Sequence, residues 1–339
     1  MTPRSGEHSM HQARFLAPAS RPRNRTASGW RGAGLALALA ALVLAPGPAA
    51  AQEEQEAPFA RFVSATPAPR FESAGAAVEA LRAALEADDL EDMAALLGLD
   101  AAALRESPDT MEAYAQMREG IARRLVTEES EDRVLIDIGW RLWPLPFPVV
   151  RGEDGSWAFD TGAGIDEIVN RQVGANELAA IDTLHAYLDA QEAYAAEDRD
   201  GDGVREYAQR LVSSPGTTDG LYWPETAQDG PSPAGADISE AELDDAAEGR
   251  GYFGYRFRIL TGQGDNIAGG AYDYVINGNM IAGYAILAWP AQYGETGVHT
   301  FLANHLGVLY EADLGPDTDV IVPWIERFNP GDDWELVPE

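Results

Sequence analysis

From Ser73 the chain sets apolar side chains three and four residues apart: Val78, Leu81 and Leu85, then Leu90, Met93 and Leu97. That spacing predicts two amphipathic helices, separated at Asp88-Asp89 and closed by Gly98. A third helix is expected over 110–125. The period then changes to two: Val134, Ile136 and Ile138 alternate over 133–138, as on a strand with one buried face. The run Trp143-Pro-Leu-Pro-Phe-Pro148 has proline at every second position, which fits an edge or bent extended segment. Residues 149–151 and 157–160 flank Asp154-Gly155, a hairpin signal. Helical spacing returns at Asn176, a capping residue, with Leu178, Ile181, Leu184 and Leu188 on one stripe beside Tyr187 and Tyr194. Residues 213–249 are rich in Gly, Pro, Ser and Asp and read as an irregular excursion. Strands are expected over 252–260, 273–277, 281–288, 298–303 and 308–312, with turns at Asn277-Gly278 and 304–307.

The first 51 residues follow another pattern. Arg14, Arg21, Arg23, Arg25 and Arg31 precede a Leu/Ala/Val run over 35–45, and Ala49-Ala50-Ala51 supplies a small-residue cleavage site before Gln52. This reads as a cleavable export signal, with Met10 as an alternative start. The competing reading, an uncleaved anchor, is weakened by Pro46 and Pro48, which close the apolar run short of the roughly 20 residues a span needs. Residues 52–69 are polar and proline-bearing, a linker.

Composition narrows the chemistry. All 24 basic residues are arginine, and there is no cysteine. Schiff-base lysines, phosphate-loop lysines, disulfides, thiol nucleophiles and zinc knuckles are thereby excluded. Residues 52–339 keep 18 of the 24 arginines and 55 of the 56 acids, a net charge of −37. Such a surface repels nucleic acid and anionic lipid and attracts cations. No nucleic-acid partner and no membrane insertion after cleavage are expected.

One motif is chemically sharp. Asp198-Arg-Asp200-Gly-Asp202-Gly203-Val204-Arg-Glu206 reads D-x-D-x-D-G-x-x-E. Carboxylates at alternate positions of a tight loop can converge on one point, Gly203 lets the backbone turn, and the Val204 carbonyl can face inward. Asp198, Asp200, Asp202, Val204 and Glu206 are therefore the expected ligands of a structural Ca²⁺ ion. The match to an EF-hand is partial, because the twelfth position is Gln209 and the eighth is Arg205. The plainer alternative is a solvated acidic loop that caps the next element.

Other motifs fail on context. Gly249-Arg-Gly251-Tyr-Phe-Gly254 spells G-x-G-x-x-G but leads into a strand, not a helix. Gly230-Pro-Ser232-Pro-Ala234 lacks the last glycine of a nucleophile elbow. His299 and His305 read as satisfied strand histidines and His185 as a helix-surface residue. Two loops, Gly220-Leu-Tyr222-Trp223-Pro224 and Trp289-Pro-Ala-Gln-Tyr293-Gly294, set aromatics beside Pro and Gly. Tyr222, Trp223, Trp289 and Tyr293 are candidate binding residues for a sugar or peptide, or else anchors of their loops to the core.

Several segments carry a family resemblance: WPLPFPVV, SWAFDTGAG, RQVGANELAAI, AQEAYAAEDRDGDGVREYAQ, DGLYWP, GYRFRIL, AWPAQYGETG and LYEADLGPDT. Through them the chain resembles a bacterial exported family known as domain of unknown function 2950, which implies no activity. The helix after Asn176-Glu177, the DRDGDGVREYA loop and the GYRFRI strand are similar to the soluble domains of pilin-like and pseudopilin proteins. That likeness implies a helix packed on an antiparallel sheet and an ion site at Asp198, Asp200, Asp202 and Glu206. The helices and hairpin sheet before them resemble, in layout, the cone of nuclear-transport-factor-2-like proteins.

The expected architecture is α+β: helices plus a curved hairpin sheet over 70–172, then helix, calcium loop and antiparallel sheet over 173–339. The expected function is that of an exported, non-catalytic envelope or binding protein, periplasmic or secreted, with a protein or carbohydrate partner. An envelope hydrolase using carboxylates and the aromatic loops is the runner-up.

Overall fold

The computed structural model describes residues 59–226, 229–235 and 238–338. The expected export signal and the first part of the linker lie outside these residues. The fold is α+β.

Four helices come first: α1 (Ala74–Glu86), α2 (Leu90–Leu97), α3 (Ala101–Glu106) and α4 (Pro108–Arg123). Each has a side-chain cap, from Ser73, Asp89, Asp100 and Ser107. Gly98 closes α2 at φ +70°, a left-handed position that glycine adopts freely. The third expected helix is α4, and α3 before it was not expected; Ser107 ends α3 and caps α4, with Pro108 at its first position. Leu125 belongs to a strand, not to that helix.

The first sheet holds β1 (Leu125–Glu129), β2 (Arg133–Ile138), β3 (Trp143–Pro144), β4 (Val149–Arg151) and β5 (Trp157–Phe159). It runs β1-β2-β4-β5, antiparallel throughout, with β3 on the free half of β2. The alternation expected along β2 is present, with Val134, Ile136 and Ile138 buried. Proline spacing confines β3 to two residues, after which Leu145 and Phe147 turn into the core.

The helix α5 runs from Thr161 to Tyr194, 34 residues. It starts a full 15 residues before the expected cap at Asn176. Asp160 is the cap, its carboxylate accepting from Ala163 N at 3.0 Å. Glycines 162, 164 and 174 hide the helical pattern here, and one has a packing cause: a Cβ at Gly164 would lie 2.0 Å from the Phe147 ring. Asn176 sits mid-helix, donating to Thr296 O at 2.9 Å. The buried stripe is also rotated from the expected one. It runs through Asn176, Ala180, Leu184, Tyr187, Gln191 and Tyr194, while Leu178 is 51% exposed. Ala180 and Ala190 let the helix lie close on the sheet.

After a largely irregular stretch containing α6 (Glu240–Ala247) come β6 (Tyr255–Leu260), β7 (Gly262–Gln263), β8 (Tyr272–Asp273), β9 (Val275–Ile276) and β10 (Asn279–Met280). Then follow β11 (Ala285–Pro290), β12 (His299–Asn304), β13 (Leu309–Asp313), α7 (Thr318–Ile321) and β14 (Glu335–Leu336). The main sheet is antiparallel in the order β14-β13-β12-β11-β6. β9 and β10 form a small hairpin around Asn277-Gly278, with Asn277 at φ +53° and Gly278 at +99°.

Buried apolar side chains fall into two clusters. The first draws on Phe62 to Phe159, the second on Ala180 to Phe328. Ile165 and Ile168 of α5 pack on the first, whereas Leu184, Tyr187 and Tyr194 belong to the second. One helix therefore serves both cores. Its C-terminal end delivers the chain to the acidic loop.

Candidate metal centre

The helix α5 ends at Tyr194, and Arg199 closes it by donating to the Tyr194 carbonyl at 3.2 Å. The Arg199 guanidinium packs against the rings of Tyr194 and Trp223, at 5.0 and 5.4 Å from their centroids. The loop then folds on its own carboxylates. Asp198 accepts from Gly201 N at 2.8 Å and from Gly203 N at 2.9 Å. Asp200 accepts from Asp202 N at 3.2 Å, and Asp202 from Val204 N at 2.7 Å. Gly201 at φ +78° and Gly203 at φ +90° supply the two left-handed bends that these turns require.

Asp198, Asp200 and Asp202 thus come together, exposed, with one ligand oxygen from each lying within 4.8 Å of the others. Oxygens on opposite sides of a Ca²⁺ ion stand about 4.6–5.2 Å apart, at twice the usual 2.3–2.6 Å bond. The cluster could hold a metal ion, and its donors are hard oxygens. Backbone N–H groups from Gly203 and Gly201 hold the Asp198 carboxyl below its ordinary value.

Glu206 lies outside this triad. Its Oε2 accepts from Met280 N at 3.1 Å, and burial pushes its pKa up, with the charge of Asp200 adding to the rise. Val204 contributes its N–H to the loop's own hydrogen bonding.

Sequence reasoning missed what the loop is tied to. Asn279 of β10 donates to Asp202 Oδ2 at 2.7 Å, and Gln209 donates to the Gly278 carbonyl at 2.7 Å. Gln191, fully buried on α5, clasps Ala208 from both sides: its Oε1 accepts from Ala208 N at 2.8 Å, and its Nε2 donates to Ala208 O at 2.9 Å. The acidic loop thus joins a helix end to the β9–β10 hairpin. Only the Asn277-Gly278 turn was legible beforehand. Beside the loop is a polar cavity of about 480 Å³, lined among others by Tyr194, Asp200, Glu206, Tyr207 and Arg210.

The aromatic candidates occupy four settings. Trp223 is buried, its Nε1 donating to Gly230 O at 3.2 Å. Trp289 is half-buried on β11 beneath the Arg258 guanidinium, 5.7 Å from the ring centroid. Tyr222 is half-buried and bridged through its backbone to Leu211 and Ser213. Tyr293, also half-buried, donates to Asp313 Oδ1 at 3.0 Å, which raises the phenol pKa. The contacts of Trp223 and Trp289 are those of loop anchors.

The histidines divide as well. His185 is exposed on α5. His299 meets Glu177 at 3.1 Å, and the same Glu177 oxygen accepts from Val298 N and His299 N. His305 lies in the turn after β12, edge-on to Tyr274 and Tyr284, its Nδ1 buried without a hydrogen-bond partner.

An α+β fold with an acidic, metal-competent loop places the chain in no functional class by itself. The family model described as Protein of unknown function (DUF2950) matches residues 69–337, and the chain belongs to that family. No curated protein and no solved structure matches it. The likeness to pilin-like domains rests on the segments quoted above.

Proposed function

We propose that the chain is an exported, non-catalytic envelope or binding protein, periplasmic or secreted, whose acidic loop takes one structural calcium ion. Asp198, Asp200 and Asp202 supply carboxylate oxygens, and the Val204 carbonyl and Glu206 complete the set as the loop tightens. The observation that carries this reading is the convergence of the three aspartates at a junction between α5 and the β9–β10 hairpin. Three exposed carboxylates so close together repel one another, and a cation turns that repulsion into a tether. The raised pKa of Glu206 agrees, since a cation beside Asp200 would offset the cost of keeping that half-buried carboxylate charged. Tyr222 and Tyr293, each half-buried, are the aromatic positions available to a protein or carbohydrate partner. The net charge of −37 over residues 52–339 argues against nucleic acid.

A second reading, an envelope hydrolase, draws on the same cavity, where Glu206 with its raised pKa stands beside Asp200 and Tyr207. It ranks second because it rests on one carboxylate and the lining of a cavity, whereas the calcium reading rests on three converging carboxylates. Titration calorimetry with CaCl₂ tests the calcium reading. One site per chain is expected, absent in Asp200→Ala; no heat above dilution from the unaltered protein would refute it.

A further inference from the structure

The turn joining β2 to β3 is at odds with the rest of the surface. Gly139-Trp140-Arg141-Leu142-Trp143 closes on a hydrogen bond from Leu142 N to Gly139 O at 3.2 Å and carries Trp140 at 72% exposure. Leu142 and Trp143 are each 40% exposed. Leu142 sits at φ +51°, a left-handed position where glycine is the unstrained choice and which holds a leucine side chain out at the tip. The C-terminal end of α4 supports the turn: Gly139 N donates to Arg124 O at 2.8 Å. The Arg171 guanidinium lies 5.2 Å from the Trp143 ring centroid.

Charge sets the tip apart further. Acids outnumber arginines about three to one over residues 52–339, yet the tip (139–143) and its supporting helix end (120–124) contain three arginines and no acid. Arg123 pairs with Glu119. Arg124 and Arg141 are exposed and make no ion pair among the described residues. The other strongly exposed tryptophan among the described residues, Trp324 at 82%, is flanked by Asp317, Asp319 and Glu326. Of these two aromatic projections, only the first is basic.

We infer that this tip docks the protein on an anionic phospholipid bilayer. Tryptophan rings settle at the headgroup level, where an apolar body and a polar N–H are both accommodated, and unpaired arginines meet the lipid phosphates. The repulsion expected between so acidic a chain and anionic lipid is weakest here, where Glu119 is paired with Arg123 and Asp137 lies back on β2. At physiological salt the Debye length is about 8 Å, so the more distant acids are largely screened and the exposed Arg124 and Arg141 weigh most.

Co-sedimentation of the purified protein with vesicles containing roughly one-third phosphatidylglycerol in phosphatidylcholine tests the inference, with pure phosphatidylcholine as the reference. Sedimentation is expected with the anionic vesicles, weakening as salt rises. Arg141→Glu and Trp140→Ala should each lower the partition coefficient about tenfold, and Trp324→Ala should leave it unchanged. Leu142→Gly separates docking from folding: it relieves the left-handed strain, so it should keep or raise the melting temperature while weakening vesicle binding. No sedimentation with anionic vesicles, or sedimentation unaltered by the tip variants, would overturn the inference. So would tip-dependent self-association without vesicles, which would make a second copy the occupant.

Discussion

The two ends of α5 are secured by different physics. At its start, Asp160 caps the helix, Gly164 lies flat against Phe147, and Asn176 and Glu177 further along hold the 296–299 segment through hydrogen bonds. Shape and backbone pairing do the holding there. At its far end the chain leaves through three aspartates that repel one another and are steadied by N–H groups and by Asn279. One end is complete with protein atoms alone, while the other could hold an ion. The stability of the first should be indifferent to divalent cations, and that of the second should follow them.

The comparison is broken most forcefully at the packed end. Gly164→Val would drive a side chain into the Phe147 ring, and a loss of about 3 kcal/mol is expected, the same with calcium or EDTA. Denaturant melts in the two buffers check both the size and the indifference. A smaller effect is expected between the ends. Gln191→Leu strands both backbone groups of Ala208, costing about 2 kcal/mol, and should also weaken calcium binding because Ala208 follows the loop.

At the acidic end the effects are smaller and change sign. Burial raises the Glu206 pKa, so its ionised form is a cost at neutral pH that disappears as pH falls through the raised value. Glu206→Gln should therefore stabilise the calcium-free protein, by about 0.5 kcal/mol once solvent screening is allowed for, and destabilise the calcium-loaded one. Thermal melts at pH 7 in each buffer give the two signs. Asp198 works the other way. Its lowered pKa stabilises the fold above the ordinary 3.8, and that contribution is lost as pH falls through the folded-state value. In EDTA, Asp198→Asn should therefore flatten the acid limb of the stability–pH curve.

How much of this was legible in the chain depends on whether a residue's partner lies nearby in sequence. The alternation along β2, the pair of helices before Gly98 and the Asp-Gly and Asn-Gly hairpins are local patterns, and all of them are found. The D-x-D-x-D-G spacing is local as well, and it brings three of the expected ligands together. What failed to show was set by distant partners. The first half of α5 was not expected as helix because glycines interrupt its pattern, of which Gly164 answers to Phe147, and Asn176 looked like a cap although its partner is Thr296, 120 residues away. Glu206 was grouped with the aspartates by spacing, yet its hydrogen bond is to Met280. Trp140 and Leu142 drew no attention because exposure is not written in sequence.

The most direct test of the account is the thermal midpoint of the protein measured in calcium, in EDTA, and in calcium with Asp200→Ala. The account predicts a midpoint that rises with calcium concentration and a variant that melts in calcium as the unaltered protein does in EDTA. Identical midpoints in all three would contradict it and leave residues 198–206 a solvated turn.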